Sequence, residues 1–257
     1  MAKMKVDIVD GPIDLGKPGK PRYRTVHKDG KAVKLRVVDA DSPQFEAEFL
    51  ASFRASGQDL IGKGHARPRL WIVAGPNGCG KSSAYGRSDV AEFDGSVWII
   101  NPDLLTARLR ESEGLVQGAA NLAAVQRIEA WLDASIDVHQ TIGVETVLSS
   151  PKYRRLVEKA RARGFEIRLI YVYLDSVERQ LERIAYRVAK GGHDVPADKV
   201  AARRIRSFAQ LRWFFDQADR AWVFDNSLSE PQLVARKGDG SITIRAGLPS
   251  EVMVSLI

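Results

Sequence analysis

The stretch from Leu70 to Ser83, LWIVAGPNGCGKSS, constrains this chain more than any other part of it. An apolar run leads into a glycine-rich turn, and the turn leads into a segment that continues as a helix. The pattern G-x-x-x-x-G-K-[ST] is complete in Gly75, Gly80, Lys81 and Ser82, and it stands in the strand–loop–helix setting in which it cradles phosphate. Gly75, Gly78 and Gly80 let the backbone curl until successive N–H groups converge on phosphate oxygens at a helix N-terminus. Pro76, Asn77, Cys79 and Ser83 complete the expected nucleotide-binding loop. Lys81 adds a point charge for the β- and γ-phosphates, and Ser82 supplies a hydroxyl to Mg²⁺, so ATP and Mg²⁺ are the expected ligands. The bland alternative is a structural turn between a strand and a helix.

The 257 residues, 44% apolar and 28% charged, suffice for one substantial α/β domain with an accessory segment. The most apolar run, Ile167 to Leu174, is short and interrupted by Arg168, so no membrane partner is expected. The opening MAKMKVDIVDGP has no apolar core of a signal peptide, and the single cysteine, Cys79, suits a reducing compartment. A cytoplasmic location follows as an expectation. A net charge of +7 points to an anionic partner without choosing one. Nucleic acid is disfavoured because the basic residues do not interleave with aromatics along one face.

Met1 to Arg22 is rich in Gly, Pro, Lys and Asp and reads as a loose arm. Tyr23 to Val38 alternates around Asp29-Gly30, which predicts a hairpin. Ser42-Pro43 then opens a short helix with Phe45, Phe49 and Phe53 on one face. Residues 1–66 are thus expected as an N-terminal extension, and 67–257 as a P-loop domain of α/β class with a mostly parallel sheet and helices on both faces. Its strands are expected at Leu70–Ala74, Ser96–Asn101, Ile142–Val147, Glu166–Leu174 and Ala221–Asp225. One helix, Ala119–Ile136, sets Leu122, Val125, Ile128 and Leu132 on a common face, and the next does so with Val177, Leu181, Ile184 and Val188. Asp175 with Glu178 reads as the capping box of that second helix. Asp239-Gly240 predicts a terminal ribbon.

In an open α/β sheet the chemistry belongs at the carboxyl ends of the strands. Asn101-Pro102-Asp103 follows the second strand, which aims Asp103 at the γ-phosphate as the acceptor of a hydroxyl proton. Alternatively Asp103 caps a helix beginning at Leu104. Glu145 ends the third strand among apolar residues, where it orients metal-bound water or holds a hydroxyl-bearing substrate together with Thr146 and Ser149. A buried pair with an arginine is the alternative. Arg179, Arg183 and Arg187 recur every fourth residue; after Gly191-Gly192-His193 come Arg203, Arg204 and Arg206. Helix, glycines and helix form a lid that folds guanidinium groups over phosphate, unless the run is only a solvated basic face. His193 contacts phosphate, closes the lid or serves the turn. Asp225-Asn226-Ser227 closes the last strand, as a contact to adenine or ribose or as an ordinary turn.

GPNGCGKSS, INPD, GVETVLSS, RVAKGGHDVP, R-x-x-R-S at Arg203 to Ser207 and VFDNS, in this order, resemble the zeta toxin family of P-loop kinases. The resemblance runs from about Leu70 to Ser227. It implies transfer of phosphate from ATP to a sugar or nucleotide-sugar hydroxyl, as in the family members that phosphorylate UDP-N-acetylglucosamine. By that resemblance Asp103 is the catalytic base, Lys81 and Ser82 hold phosphate and metal, and Glu145 is a site acid. Lid arginines such as Arg187 and Arg203 stabilise the developing charge. Asn101, Glu145, Thr146, Ser149 and His193 belong to the acceptor side, and an antitoxin protein is the expected macromolecular partner. The founding toxins carry arginines across the lid where this chain has GGHDVP, which leaves the γ-phosphate arginine open among Arg183, Arg187, Arg203 and Arg206. Transfer to another nucleotide such as NAD, to a nucleic-acid end, or to water are the competing expectations.

Overall fold

A computed structural model describes residues 5–10, 23–28, 31–36, 67–81, 99–191 and 194–257. The chain divides into two compact units, Met1–Asp14 with Pro68–Ser88 and Ile99–Ile257, and Leu15–Arg67 with Asp89–Trp98. The expected helix at Ser42–Phe53 lies outside the described residues.

In the smaller unit, β2 (Tyr23–Lys28) and β3 (Lys31–Arg36) pair antiparallel, with Lys28 opposite Lys31. That register leaves two residues, Asp29 and Gly30, between the strands, which is the spacing a tight hairpin requires.

The larger unit is built on an eight-stranded sheet. Its parallel part contains β4 (Arg69–Ala74), β5 (Ile99–Ile100), β6 (Ile142–Thr146), β7 (Glu166–Tyr173) and β8 (Arg220–Asp225), in the order β8-β7-β4-β6-β5. Helices cover such strands on both faces, so they read as continuous apolar runs rather than alternating ones. Leu70 to Ala74 and Ile167 to Leu174 are buried throughout. Arg168, the charge within the second run, lies over the Trp71 ring at 5.1 Å and pairs with Glu166 at 2.9 Å. Trp71 in turn stacks on Trp222 at 5.7 Å, so one charged side chain is held inside an aromatic wall.

The α/β P-loop fold expected for this part is present, with α1 (Pro102–Glu113), α2 (Gln117–Asp137), α3 (Arg154–Ala162), α4 (Val177–Ala189) and α5 (Ala197–Gln217) between and after the strands. Among the described residues no helix is long and apolar enough to cross a membrane.

Several local expectations are corrected. The arm before Arg22 is not loose throughout: Lys5–Val9 forms β1, which pairs parallel with β10 (Ser241–Arg245). The terminal ribbon expected at Asp239-Gly240 is present, and it joins the main sheet. β9 (Gln232–Gly238) pairs antiparallel with β8, and β10 with β9, so the main sheet continues through them. Asp239 and Gly240 take φ of 51° and 76°, the left-handed pair that a two-residue turn needs.

On α2 the buried stripe is Ala120, Ala124, Ile128 and Leu132, while Leu122 is 60% exposed. Two alanines lie closer to the core than the larger Leu122, because the helix is rotated to pack against α1 and β6 at once. The cap of α4 is Ser176, whose hydroxyl accepts from the Arg179 N–H. Asp175 pairs instead with the Arg179 guanidinium at 3.0 Å. β5 does not neighbour β4, because β6 lies between them.

A short helix α6 (Ser250–Val254) closes the fold against α5. The Ser255 hydroxyl lies within hydrogen-bond distance of the Glu251 and Phe208 carbonyls, at 2.7 and 3.1 Å. The Lys237 ammonium, from β9, donates to the Phe215 and Asp216 carbonyls at 2.7 and 2.9 Å near the end of α5. A cation on the last carbonyls of a helix satisfies otherwise orphaned acceptors.

Candidate functional site

The strand register brings the candidate residues to one rim. Val73 lies beside Glu145 and Ala74 beside Thr146. Ile100 lies beside Val144, so Asn101 emerges next to the level of Glu145. Helix α1 begins at Pro102, with the Asn101 carbonyl accepting from Leu105 N–H. Asp103 therefore sits in the first turn of α1 and does not cap a helix starting at Leu104. Its carboxyl group lies outside the described part of the structure. So do Ser82, Ser83 and His193.

The loop after β4 has its shape fixed from three directions. The Gly75 N–H donates to the Thr146 carbonyl at 3.2 Å. A Cβ at Gly75 would overlap the Val172 carbonyl oxygen, and its φ of 145° is one that other residues avoid. Asn226, at the end of β8, donates its side-chain amide to the Cys79 carbonyl at 2.9 Å. Gln180 of α4 donates to the Asn77 carbonyl at 2.8 Å. Gly80, with φ of 81°, has the Asn226 amide 2.5 Å from the place a Cβ would occupy. The cradle thus fits a group that needs close backbone approach, such as a phosphate.

Lys81 is buried, and its ammonium donates to the Gly75 and Pro76 carbonyls of its own loop at 3.0 and 3.3 Å. Cys79 is also buried. Burial pushes its thiol above the ordinary range, while the neighbouring Lys81 charge pulls the other way. Cys79 is therefore a small interior residue of the loop and remains a thiol near neutral pH.

A cavity of 530 Å³ opens beside the loop. Gly78, Gly80, Lys81 and Glu145 line one part of it, Arg183, Tyr186 and Arg187 of α4 another, and Asn226, Leu228 and Pro231 after β8 a third. This volume falls within the roughly 300–1,000 Å³ of small-molecule sites. Glu145 is buried at its edge, on the same wall as Lys81. Thr146 is committed locally, its hydroxyl accepting from the Leu148 N–H at 3.0 Å, and Ser149, the residue after Leu148, is half-buried.

The arginines separate into different duties. Arg187 lines the cavity, whereas Arg203 reaches the Asn77 side-chain oxygen at 3.4 Å. Arg183 also lines the cavity and donates to the Asn226 carbonyl at 2.7 Å. Arg179 donates to the Ser227 carbonyl at 3.2 Å. Arg204 is no lid residue: it is 4% exposed and donates to the Leu174 carbonyl at 2.7 Å.

Sequence reasoning missed Gln180 altogether and underrated Asn226. A polar residue on the buried side of an otherwise apolar helix stripe was the available signal for Gln180, and an asparagine leaving a strand at the sheet's carboxyl rim was the signal for Asn226. Asp225 accepts from the Ser227 N–H at 2.9 Å, as an ordinary turn residue does, so it is Asn226 within that triplet that meets the loop.

Comparison with known proteins places this geometry. A solved complex of AvrRxo1-ORF1 with AvrRxo1-ORF2 and ATP is similar to this chain at 17% identity, over 78% of this chain and 68% of that one, with a TM-score of 0.56. A structure from the PezAT chromosomal toxin–antitoxin system of Streptococcus pneumoniae is similar at 15% identity, over 77% of this chain and 82% of that one, with a TM-score of 0.51. An uncharacterised protein of Haemophilus influenzae is 26% identical over 145 residues, 53% of this chain and 98% of its own length. The fold is therefore one that this chain shares with the AvrRxo1-ORF1 complex and with the PezAT structure. The model of the AAA domain family matches residues 70–211, from the first residues of β4 to the middle of α5 and across the whole of the cavity's loop and α4 walls. By that match the chain belongs to the AAA domain family.

Proposed function

We propose that this chain is an ATP-dependent small-molecule kinase that transfers the γ-phosphate to a hydroxyl of a nucleotide-sugar. The observation that carries this reading is a cavity in which Gly78, Gly80, Lys81, Glu145 and two α4 arginines face a common space. Such a space presents positive charge and a carboxylate to one ligand, which suits an anion that must also meet a hydroxyl.

ATP would lie with its phosphates in the loop from Gly75 to Ser83, which includes Pro76, Asn77, Gly78, Cys79, Gly80, Lys81 and Ser82. Its base would rest at the less polar end, beside Tyr186, Leu228 and Pro231. Ser82 would hold Mg²⁺, which when bound neutralises charge on the phosphate oxygens. Asn101, Glu145, Thr146, Ser149 and His193 would hold the acceptor. Its hydroxyl oxygen attacks the γ-phosphorus, the bond to the β-phosphate oxygen breaks, ADP departs, and Asp103 takes the hydroxyl proton. Arg187 from the cavity wall and Arg203 from beside Asn77 balance the charge on the transferred group.

The PezAT system is a toxin–antitoxin pair, and the AvrRxo1 structure is a two-protein complex with ATP. Those similarities support, for this chain, ATP as the donor and an antitoxin as a protein partner. Asp103→Ala should abolish transfer to a nucleotide-sugar while leaving ATP affinity nearly intact, because a base acts on the transition state and not on nucleotide binding. Normal turnover by that variant would remove Asp103 from its role.

A further inference from the structure

One buried run of polar groups reaches the phosphate loop without lining the cavity. Gln180 on α4 is 0% exposed, and a primary amide so buried needs partners at both its ends. Its Nε2 donates to the Asn77 carbonyl at 2.8 Å, and its Oε1 accepts from Arg204 Nη1 at 3.3 Å. Arg204, on α5, is held in turn by the Leu174 and Asp175 carbonyls and by the Glu251 carboxylate of α6.

The helix backbone is pressed on the same spot. A Cβ added at Gly78 would lie 2.7 Å from the Gln180 carbonyl oxygen and 3.0 Å from Ile184 Cγ1. Arg203, next to Arg204, reaches the Asn77 side chain. The tip of the loop is thus gripped at its carbonyl, at its side chain and at the glycine that follows.

The peptide between Asn77 and Gly78 is planar and trans, so its C=O and N–H point in opposite directions. Fixing the carbonyl on Gln180 fixes the Gly78 N–H on the side away from Gln180. We propose that Gln180 and Arg204 are positioning residues that set this peptide plane, and so hold the loop in the form that receives a triphosphate. They touch no ligand; Gln180 acts through the Asn77 carbonyl, and Arg204 acts by orienting Gln180. The proposal rests on the reading that the loop binds ATP.

Gln180→Glu tests it. The carboxylate keeps, with added charge, the acceptor that Arg204 requires, but it has no N–H for Asn77. ATP affinity of the full chain is measured by titration calorimetry, and unliganded Tm by thermal melting. The expected result is ATP binding weakened about tenfold, the scale of one buried hydrogen bond lost, with a much smaller loss for Glu251→Gln and an unliganded Tm for Gln180→Glu lowered by only a few degrees, roughly 2–4 °C for each kcal/mol lost. Parent-like ATP affinity in Gln180→Glu would overturn the proposal. So would a collapse of both Gln180→Glu and the volume-matched Gln180→Met, since Gln180 would then serve folding. If the parent itself fails to bind ATP, the kinase reading falls first, and this inference with it.

Discussion

Asn226 and Cys79 are joined by a hydrogen bond of 2.9 Å from the Asn226 side-chain amide to the Cys79 carbonyl, although 147 positions separate them in the chain. The bond fastens the end of β8 to the phosphate loop at a buried point, with Cys79 0% and Asn226 7% exposed. Removing the donor strands a carbonyl away from water, at a cost of about 1–3 kcal/mol. Asn226→Ala should lower the Tm of the unliganded chain, by roughly 2–4 °C for each kcal/mol lost, and should weaken ATP binding in calorimetry. Unchanged affinity would mean that the loop holds its shape without this latch.

Lys81 spends its donors on the Gly75 and Pro76 carbonyls, and the same ammonium borders the cavity. Lys81→Ala should reduce phosphoryl transfer by about a hundredfold or more, the scale of losing one preorganised charge donor. The far-ultraviolet circular dichroism spectrum should stay that of the parent. Transfer at the parent rate would show that phosphate does not approach Lys81.

Cys79 offers a direct probe of loop opening. Burial raises its thiol pKa, and thiolate is the form that reacts. Alkylation by iodoacetamide should be at least about ten times slower in the folded chain than in guanidinium. It should quicken as pH rises and slow further when ATP is added. Equal rates in the folded and unfolded chain would place the thiol in solvent.

The rotation of α2 is testable by stability alone. Leu132 is fully buried in the main core and Leu122 is 60% exposed. Leu132→Ala should cost about 2–5 kcal/mol in denaturant melts. Leu122→Ala should stay within about 0.5 kcal/mol.

Where the residues themselves determine backbone form, they predicted it well. The apolar runs at Leu70 and Ile167 read as covered strands and Asp239-Gly240 as a tight turn, and the structure has all three. Packing choices were less legible. A helix with apolar residues at several spacings has more than one possible inner face, and α2 buries the one with Ala120 and Ala124. A strand as short as Lys5–Val9 alternates over too few residues to stand out, its Val6 and Ile8 stay exposed, and it pairs with the edge that β10 offers. Order within the sheet was hidden too, since nothing local tells Asn101 that β6 will stand between its strand and the loop. The site shows the same division. Lys81 was marked by its motif, whereas Gln180 became visible only once α4 lay against the loop.

The central claim is that phosphate moves from ATP to an alcohol. It is tested most directly by incubating a metabolite extract with the full chain, ATP and Mg²⁺, and searching by mass spectrometry for a compound that gains one phosphate. Such a product is expected among the nucleotide-sugars, formed by the parent chain and absent with Asp103→Ala. ADP and free phosphate with no phosphorylated metabolite would contradict it, and would make the chain a nucleotide hydrolase.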